Sequence, residues 1–177
     1  EAMGAALSAG LREQFGRAGP EAAAMADELM FHASTADLAR SLVSNSILAR
    51  AEEAIASDFA GQPLLEADLG ESVASVRDAL GLHAEAARGH ARVAELRARE
   101  LGAAHPLTLE ARRAHAESLL AAGDAGAARG IVDDALALAA SLPAYGPLRL
   151  RLEQTDTELL AAEGDRAAAR QRLEALH

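Results

Sequence analysis

Three segments of this chain run from a Pro-Leu step through about one helix of residues to a glycine, and an alanine stands five residues past each glycine. They are Pro63 to Gly81 (PLLEADLGESVASVRDALG), Pro106 to Gly123 (PLTLEARRAHAESLLAAG) and Pro147 to Gly164 (PLRLRLEQTDTELLAAEG). The alanines Ala86, Ala128 and Ala169 are 42 and 41 residues apart. Self-similarity with a period of roughly 20 to 50 residues marks a stacked repeat array. That constraint settles the architecture to expect and moves the functional question from a catalytic pocket to a surface that grips a partner.

The composition agrees with thin helical layers. Aromatic residues make up 2% of the chain and hydrophobic residues 50%, much of that alanine. Alanine is the best helix former and lets helix axes approach closely, but it fills little volume. A thick β-sandwich is disfavoured because aromatic and β-branched residues are scarce. All 17 Lys+Arg residues are arginine, and cysteine is absent. Schiff-base chemistry, a phosphate-loop lysine, thiol nucleophiles, cysteine zinc sites and disulfides are therefore excluded. The formal charge of −10 disfavours direct nucleic-acid binding, which needs a cationic surface. No apolar run approaches a membrane span and no signal-peptide pattern opens the chain. Because it starts at Glu1, the sequence reads as a piece of a longer protein, placed equally well in cytoplasm or periplasm.

The periodicity predicts about nine helices in antiparallel pairs and no strand. Ala2 to Arg17, with Leu7, Leu11 and Phe15 at four-residue steps, is a weakly amphipathic first helix. Pro20 opens a second, from Glu21 to about Ala33. Ser34 or Thr35 caps a third, to about Phe59, with a stripe of Leu38, Leu42, Leu48, Ile55 and Phe59. Each Pro-Leu then starts a helix, where proline's missing N–H costs nothing, and each glycine ends one in the left-handed conformation. In the middle repeat the second helix carries Ala128, Ile131, Val132, Ala135, Leu138 and Ala139 at three-and-four spacing. The expected division is an N-terminal helical segment, 1–36, packing on an array, 37–177.

From about Asp37 onward the chain resembles a tetratricopeptide array of the long, kinesin-light-chain-like kind. The turn glycines Gly81, Gly123 and Gly164 and the nesting alanines Ala86, Ala128 and Ala169 carry the likeness. So does the stretch ELRARELGAAHPLTL (Glu95 to Leu109) with its Leu-Gly-x-x-His-Pro-x-Thr-Leu joint. The run from Leu38 to Gly81 is similar to the segment opening the tetratricopeptide regions of bacterial membrane-tethered Ser/Thr kinases and winged-helix transcription regulators. The likeness implies a right-handed all-α solenoid and a regulatory, protein-binding role. Two positions depart from the pattern. The usual tyrosine of the first helix is Arg77 in the first repeat and Leu119 in the second, and the usual bulky residue of the second helix is His90 in the first repeat.

Catalysis has almost no support among the residues, and the expectation is a non-enzyme without cofactor or metal. His83 and His90 lie on one helical face two turns apart, too far to hold one metal alone. His105 reads as a structural cap of the His-Pro joint and His115 as a filler between helices. Glu52-Glu53 and Asp133-Asp134 diverge around their helices and read as solvated faces. No Gly-x-Ser-x-Gly, HExxH or phosphate-cradling loop is present.

One surface carries the functional expectation. In tetratricopeptide arrays the concave face is lined by outward positions of each first helix. By that resemblance the partner-binding groove comprises Asp68, Glu71, Ser75 and Asp78, then Glu110, Arg113 and Glu117, then Arg151, Gln154 and Glu158. Six acids face two arginines there, which suits a basic or polar protein or peptide, and the lysine-asparagine clamp for acidic C-termini is missing. The reading is a protein-interaction module of a larger bacterial signalling protein. Its alternatives are a structural homodimerisation module and a small-molecule-sensing solenoid.

Overall fold

A computed structural model of the chain describes residues 35–140 and 146–175, with side chains at 46–140 and 146–174. The described residues form seven α-helices and no strand: α1 Thr35–Asp58, α2 Pro63–Ala79, α3 His83–Leu101, α4 Pro106–Ala121, α5 Ala125–Ala140, α6 Gly146–Ala162 and α7 Arg166–Ala175. The two helices expected before residue 34 lie outside the described residues, as does most of the loop before Gly146. Internal contacts group residues 1–49 and 50–177 into two compact units. The second unit contains the end of α1 and all of α2 to α7.

The punctuation read from the sequence is what shapes the backbone. Pro63 and Pro106 stand in the first turn of α2 and α4. Gly81, Gly123 and Gly164 adopt φ of 77°, 89° and 88°, which a β-carbon would resist. The hydrogen bonds around the three glycines repeat. Leu82, Asp124 and Asp165 each donate their N–H to the carbonyl five residues back, at 2.9 Å. The glycines donate to carbonyls three residues back, at 2.9 to 3.2 Å. These are Schellman turns that satisfy the last carbonyls of one helix and release the chain into the next. The alanine five residues past each glycine donates the N–H that opens the new helix: Ala86 to Leu82, Ala128 to Asp124 and Ala169 to Asp165. Asp124 and Asp165 also cap through their side chains, accepting from Ala127 and Ala168 at 3.0 Å. Leu82 has no such oxygen, so the first repeat lacks that cap.

Each helix from α2 to α6 packs against the next in sequence, and α4 also touches α6. The connections from α2 to α5 and from α6 to α7 have three or four residues, and turns this short between packed helices make successive members antiparallel. Ala86 and Ala128 are fully buried and Ala169 nearly so. The core is a chain of small clusters rather than one mass. Ala67, Val93, Ala94, Leu96 and Ala111 join α2, α3 and α4. Leu109, Ala135, Ala139, Leu148 and Leu152 join α4, α5 and α6, and Ala116, Ala128, Val132 and Leu159 continue that seam. Helices α2 and α3 cross at Gly89, where a β-carbon would stand 2.9 Å from the Ala74 methyl. Glycine in mid-helix is costly on its own, and here it admits the neighbouring backbone.

Candidate functional site

Three helices bring chemistry-bearing side chains to one open cleft of about 440 Å³. Helix α2 contributes Glu71, Ser75 and Asp78, separated by four and three residues and hence on one face. Helix α4 contributes Leu107, Glu110, Arg113, Ala114 and Glu117 at similar spacing. His90 and Arg97, from α3 between them, are buried and form the floor.

Six residues expected in the groove therefore line one cavity: Glu71, Ser75, Asp78, Glu110, Arg113 and Glu117. Asp68 and Arg151 attach to its walls, on Arg97 and Glu110 respectively. Gln154 and Glu158 are exposed on α6 and are not among the lining residues.

The balance of six acids against two arginines needs correction. Arg97, only 3% exposed, reaches up from α3 and bonds both carboxylate oxygens of Glu71, at 3.2 and 2.7 Å, through its two terminal nitrogens. The same guanidinium donates to Asp68 at 2.8 Å and to the Leu107 carbonyl at 3.4 Å. Burial alone would lower the Arg97 pKa, but the bonds to Glu71 and Asp68 outweigh it and hold it above its ordinary value. Asp78 is likewise enclosed. His83 Nδ1 lies 3.0 Å from its Oδ1, while His90 Nε2 at 3.2 Å and Ser118 Oγ at 2.6 Å meet its Oδ2. Glu110 accepts from Arg113 Nε at 3.0 Å and from Arg151. Glu117 accepts from Arg113 and, at 3.0 Å, from Thr155 Oγ1. The cleft is a network that runs from α2 to α6, and its acids are largely bonded within it.

His83 and His90, too far apart to share a metal unaided, share a carboxylate instead. Among the described residues no group of three His, Cys, Asp or Glu side chains is arranged to hold a metal ion. His105 caps α4 as expected, accepting the Leu107 N–H at 3.2 Å, while Thr108 Oγ1 donates to the Gly102 carbonyl at 2.9 Å. His115 is half-buried; burial first, then the nearby His90, lower its pKa. Glu52 corrects the reading of its acidic pair as solvated. It salt-bridges the buried Arg77, which leaves only Glu53 of the two exposed.

Reasoning from first helices alone missed His90 and Arg97. The signal was present, since a shift of 42 residues superposes Ala86, His90, Val93 and Arg97 on Ala128, Val132, Ala135 and Ala139. The latter stripe is buried throughout, and the same register carries a histidine and an arginine inward in the earlier repeat. No helix among the described residues is long and apolar enough to cross a membrane. No protein-family model, curated protein or solved structure matches the chain.

Proposed function

We propose that these helices belong to a right-handed tetratricopeptide solenoid that serves as a peptide- or protein-binding regulatory module. Its parent would be a larger bacterial signalling protein such as a Ser/Thr kinase or a winged-helix transcription regulator. The observation that carries the reading is the threefold recurrence of one joint. A left-handed glycine in a Schellman turn at Gly81, Gly123 and Gly164 is followed each time by a buried alanine. Repeats of this kind present extended binding surfaces, and the open cleft over α2, α3 and α4 gives such a surface depth. Its lining carries Glu71, Asp78, Glu110 and Glu117 against Arg97 and Arg113, a net negative field that draws basic partners.

Selection of a random-peptide library on the purified chain tests this directly. Recovered peptides should bind in solution and should lose binding to Glu117→Arg. They should keep it with Asp133→Arg and Asp134→Arg, which are exposed on α5. Affinity should fall from low to physiological salt, because exposed ion pairs are screened. If no recovered peptide depends on the cleft, the reading is wrong. A homodimerisation role has one observation in its favour: Leu65, Val76 and Leu80 are 39%, 47% and 45% exposed along and just past α2. Sedimentation at two concentrations decides it.

A further inference from the structure

We infer that the cleft over α2, α3 and α4 recognises one arginine or lysine side chain of an extended peptide, with Glu117 as the recognising carboxylate and Leu107 as an apolar rest for the peptide beside it. The inference rests on the peptide-binding reading and narrows it to a ligand class.

Every carboxylate oxygen of Glu71, Asp78 and Glu110 already accepts a hydrogen bond from within the protein. Glu117 differs. Both of its bonds, from Arg113 and Thr155, fall on Oε1, which leaves Oε2 without a partner among the described residues. Glu117 is also 39% exposed, so the free oxygen belongs to a side chain that a ligand can reach. A second atom without a partner belongs to the floor of the same cleft. With His90 Nε2–H donating to Asp78, His90 Nδ1 is buried with no partner among the described residues, and it is an acceptor in the neutral ring. Ammonium and guanidinium groups are the side-chain tips that offer only donors.

The remaining features favour a peptide over a free amine. Arg97 Nε, a buried donor beneath the cleft, has no acceptor among the described residues. Ser75 stands exposed on the α2 wall, its hydroxyl able to donate or accept. Leu107, 46% exposed on the α4 wall, offers apolar surface to a neighbouring aliphatic side chain. The four lining acids exceed the two lining arginines, so a bound cation improves the local charge balance. Glu71, Asp78 and Glu110 act through the network: they hold Arg97, His90 and Arg113 in place.

The test is a titration followed by two-dimensional amide NMR of the whole chain. The probes are acetyl-Leu-Arg-amide, acetyl-Leu-citrulline-amide (the neutral isostere) and ethylguanidine. The arginine dipeptide should shift the amides of Ser75, Leu107, Ala114 and Glu117 in a saturable way. Its affinity should exceed that of the citrulline dipeptide by roughly tenfold or more, the worth of one charge-assisted bond. Glu117→Gln, which keeps the oxygen that Arg113 and Thr155 use, should erase most of that difference. Ser75→Arg, at an exposed position, should tether a guanidinium in the cleft and block the probe while leaving the melting temperature unchanged. Equal binding of the arginine and citrulline dipeptides would overturn the inference. So would ethylguanidine binding as tightly as the dipeptide, because the peptide contacts would then contribute nothing. Library peptides that need the cleft but carry no basic residue would sink the arginine-or-lysine assignment and leave the peptide-binding reading standing.

Discussion

Two stripes of one repeat register fill the same place in successive second helices and use opposite chemistry. Along α5 the inward residues are Ala128, Val132, Ala135 and Ala139, packed against Leu109, Leu148, Leu152 and Leu159. Along α3 they are Ala86, His90, Val93 and Arg97. The stripe of the later joint is held by apolar area removed from water, with the buried Asp156 beside it bonded by Arg129 and Arg172. The earlier one accepts a buried guanidinium and an imidazole and returns their bonds through acids on α2. Arg77 repeats the pattern on α2, buried at the position where α4 has Leu119 and paired with Glu52 from α1. A charge buried with its partner is close to neutral for stability, whereas a charge stripped of its partner is not. The polar joint is also the one that opens into the cleft. The chain has given up packing where it displays bonding groups and kept it where it does not.

The largest effect should come from stripping Arg97. Asp68→Ala combined with Glu71→Ala leaves a guanidinium that is 3% exposed with only the Leu107 carbonyl. That should cost about 3–5 kcal/mol, read as a lower urea midpoint at unchanged slope. Arg97→Met should cost less than about 1.5 kcal/mol, because it keeps the volume and leaves carboxylates that water can reach. If Arg97→Met is as damaging as the double variant, the polar joint is not balanced in the way described.

Along the apolar stripe of α5 no such asymmetry should exist. Leu152→Ala, at a fully buried position, should cost about 2–5 kcal/mol through lost transfer energy and the cavity it leaves. Ala128→Leu forces a larger side chain between α4 and α5 and should cost about 1–3 kcal/mol. A melting temperature unchanged by Ala128→Leu would show that the alanine does not mark a close approach.

The smallest effect should be a pH dependence of the polar joint. The His115 pKa is lowered in the folded chain, by burial and then by His90, so the unfolded chain binds the proton more readily. Stability is therefore greater above the ordinary histidine value near 6.5 and declines as pH falls through the folded pKa. His115→Gln should lose less stability than the parent chain between about pH 7.5 and 5.5, the range that brackets an ordinary histidine. An equal loss would place the acid sensitivity elsewhere.

Much of the fold is legible in the sequence, and for local reasons. Proline at helix starts, glycine in left-handed turns and alanine at fixed distance are constraints that a few consecutive residues impose on themselves. Those positions fall where expected, from Pro63 to Ala169. The outward faces of α2 and α4 are legible too, since spacing of three and four puts Glu71, Ser75 and Asp78 on one side and Glu110, Arg113 and Glu117 on another. The partners of those acids are not. Arg97 is 26 residues from Glu71, and Ser118 is 40 from Asp78. Nothing local distinguishes a buried arginine that ties two helices together from one that lies in solvent. Gly89 is an ordinary helical glycine by sequence, and only the Ala74 methyl beside it gives the missing β-carbon a purpose.

By itself, then, the sequence determined where helices begin and end and which side of each faces inward, because backbone conformation and amphipathic spacing are set within a turn or two of chain. Only the tertiary structure decided which charges are occupied and which remain. As a list of residues, the groove is a row of equivalent acids. With the helices packed, Arg97, His83, His90, Arg113 and Arg151 take up the lining carboxylates, and among the described residues Glu117 alone of the four keeps an oxygen free. Hydrogen-bond capacity is used up by whatever comes within about 3 Å, and that proximity is created when distant segments meet.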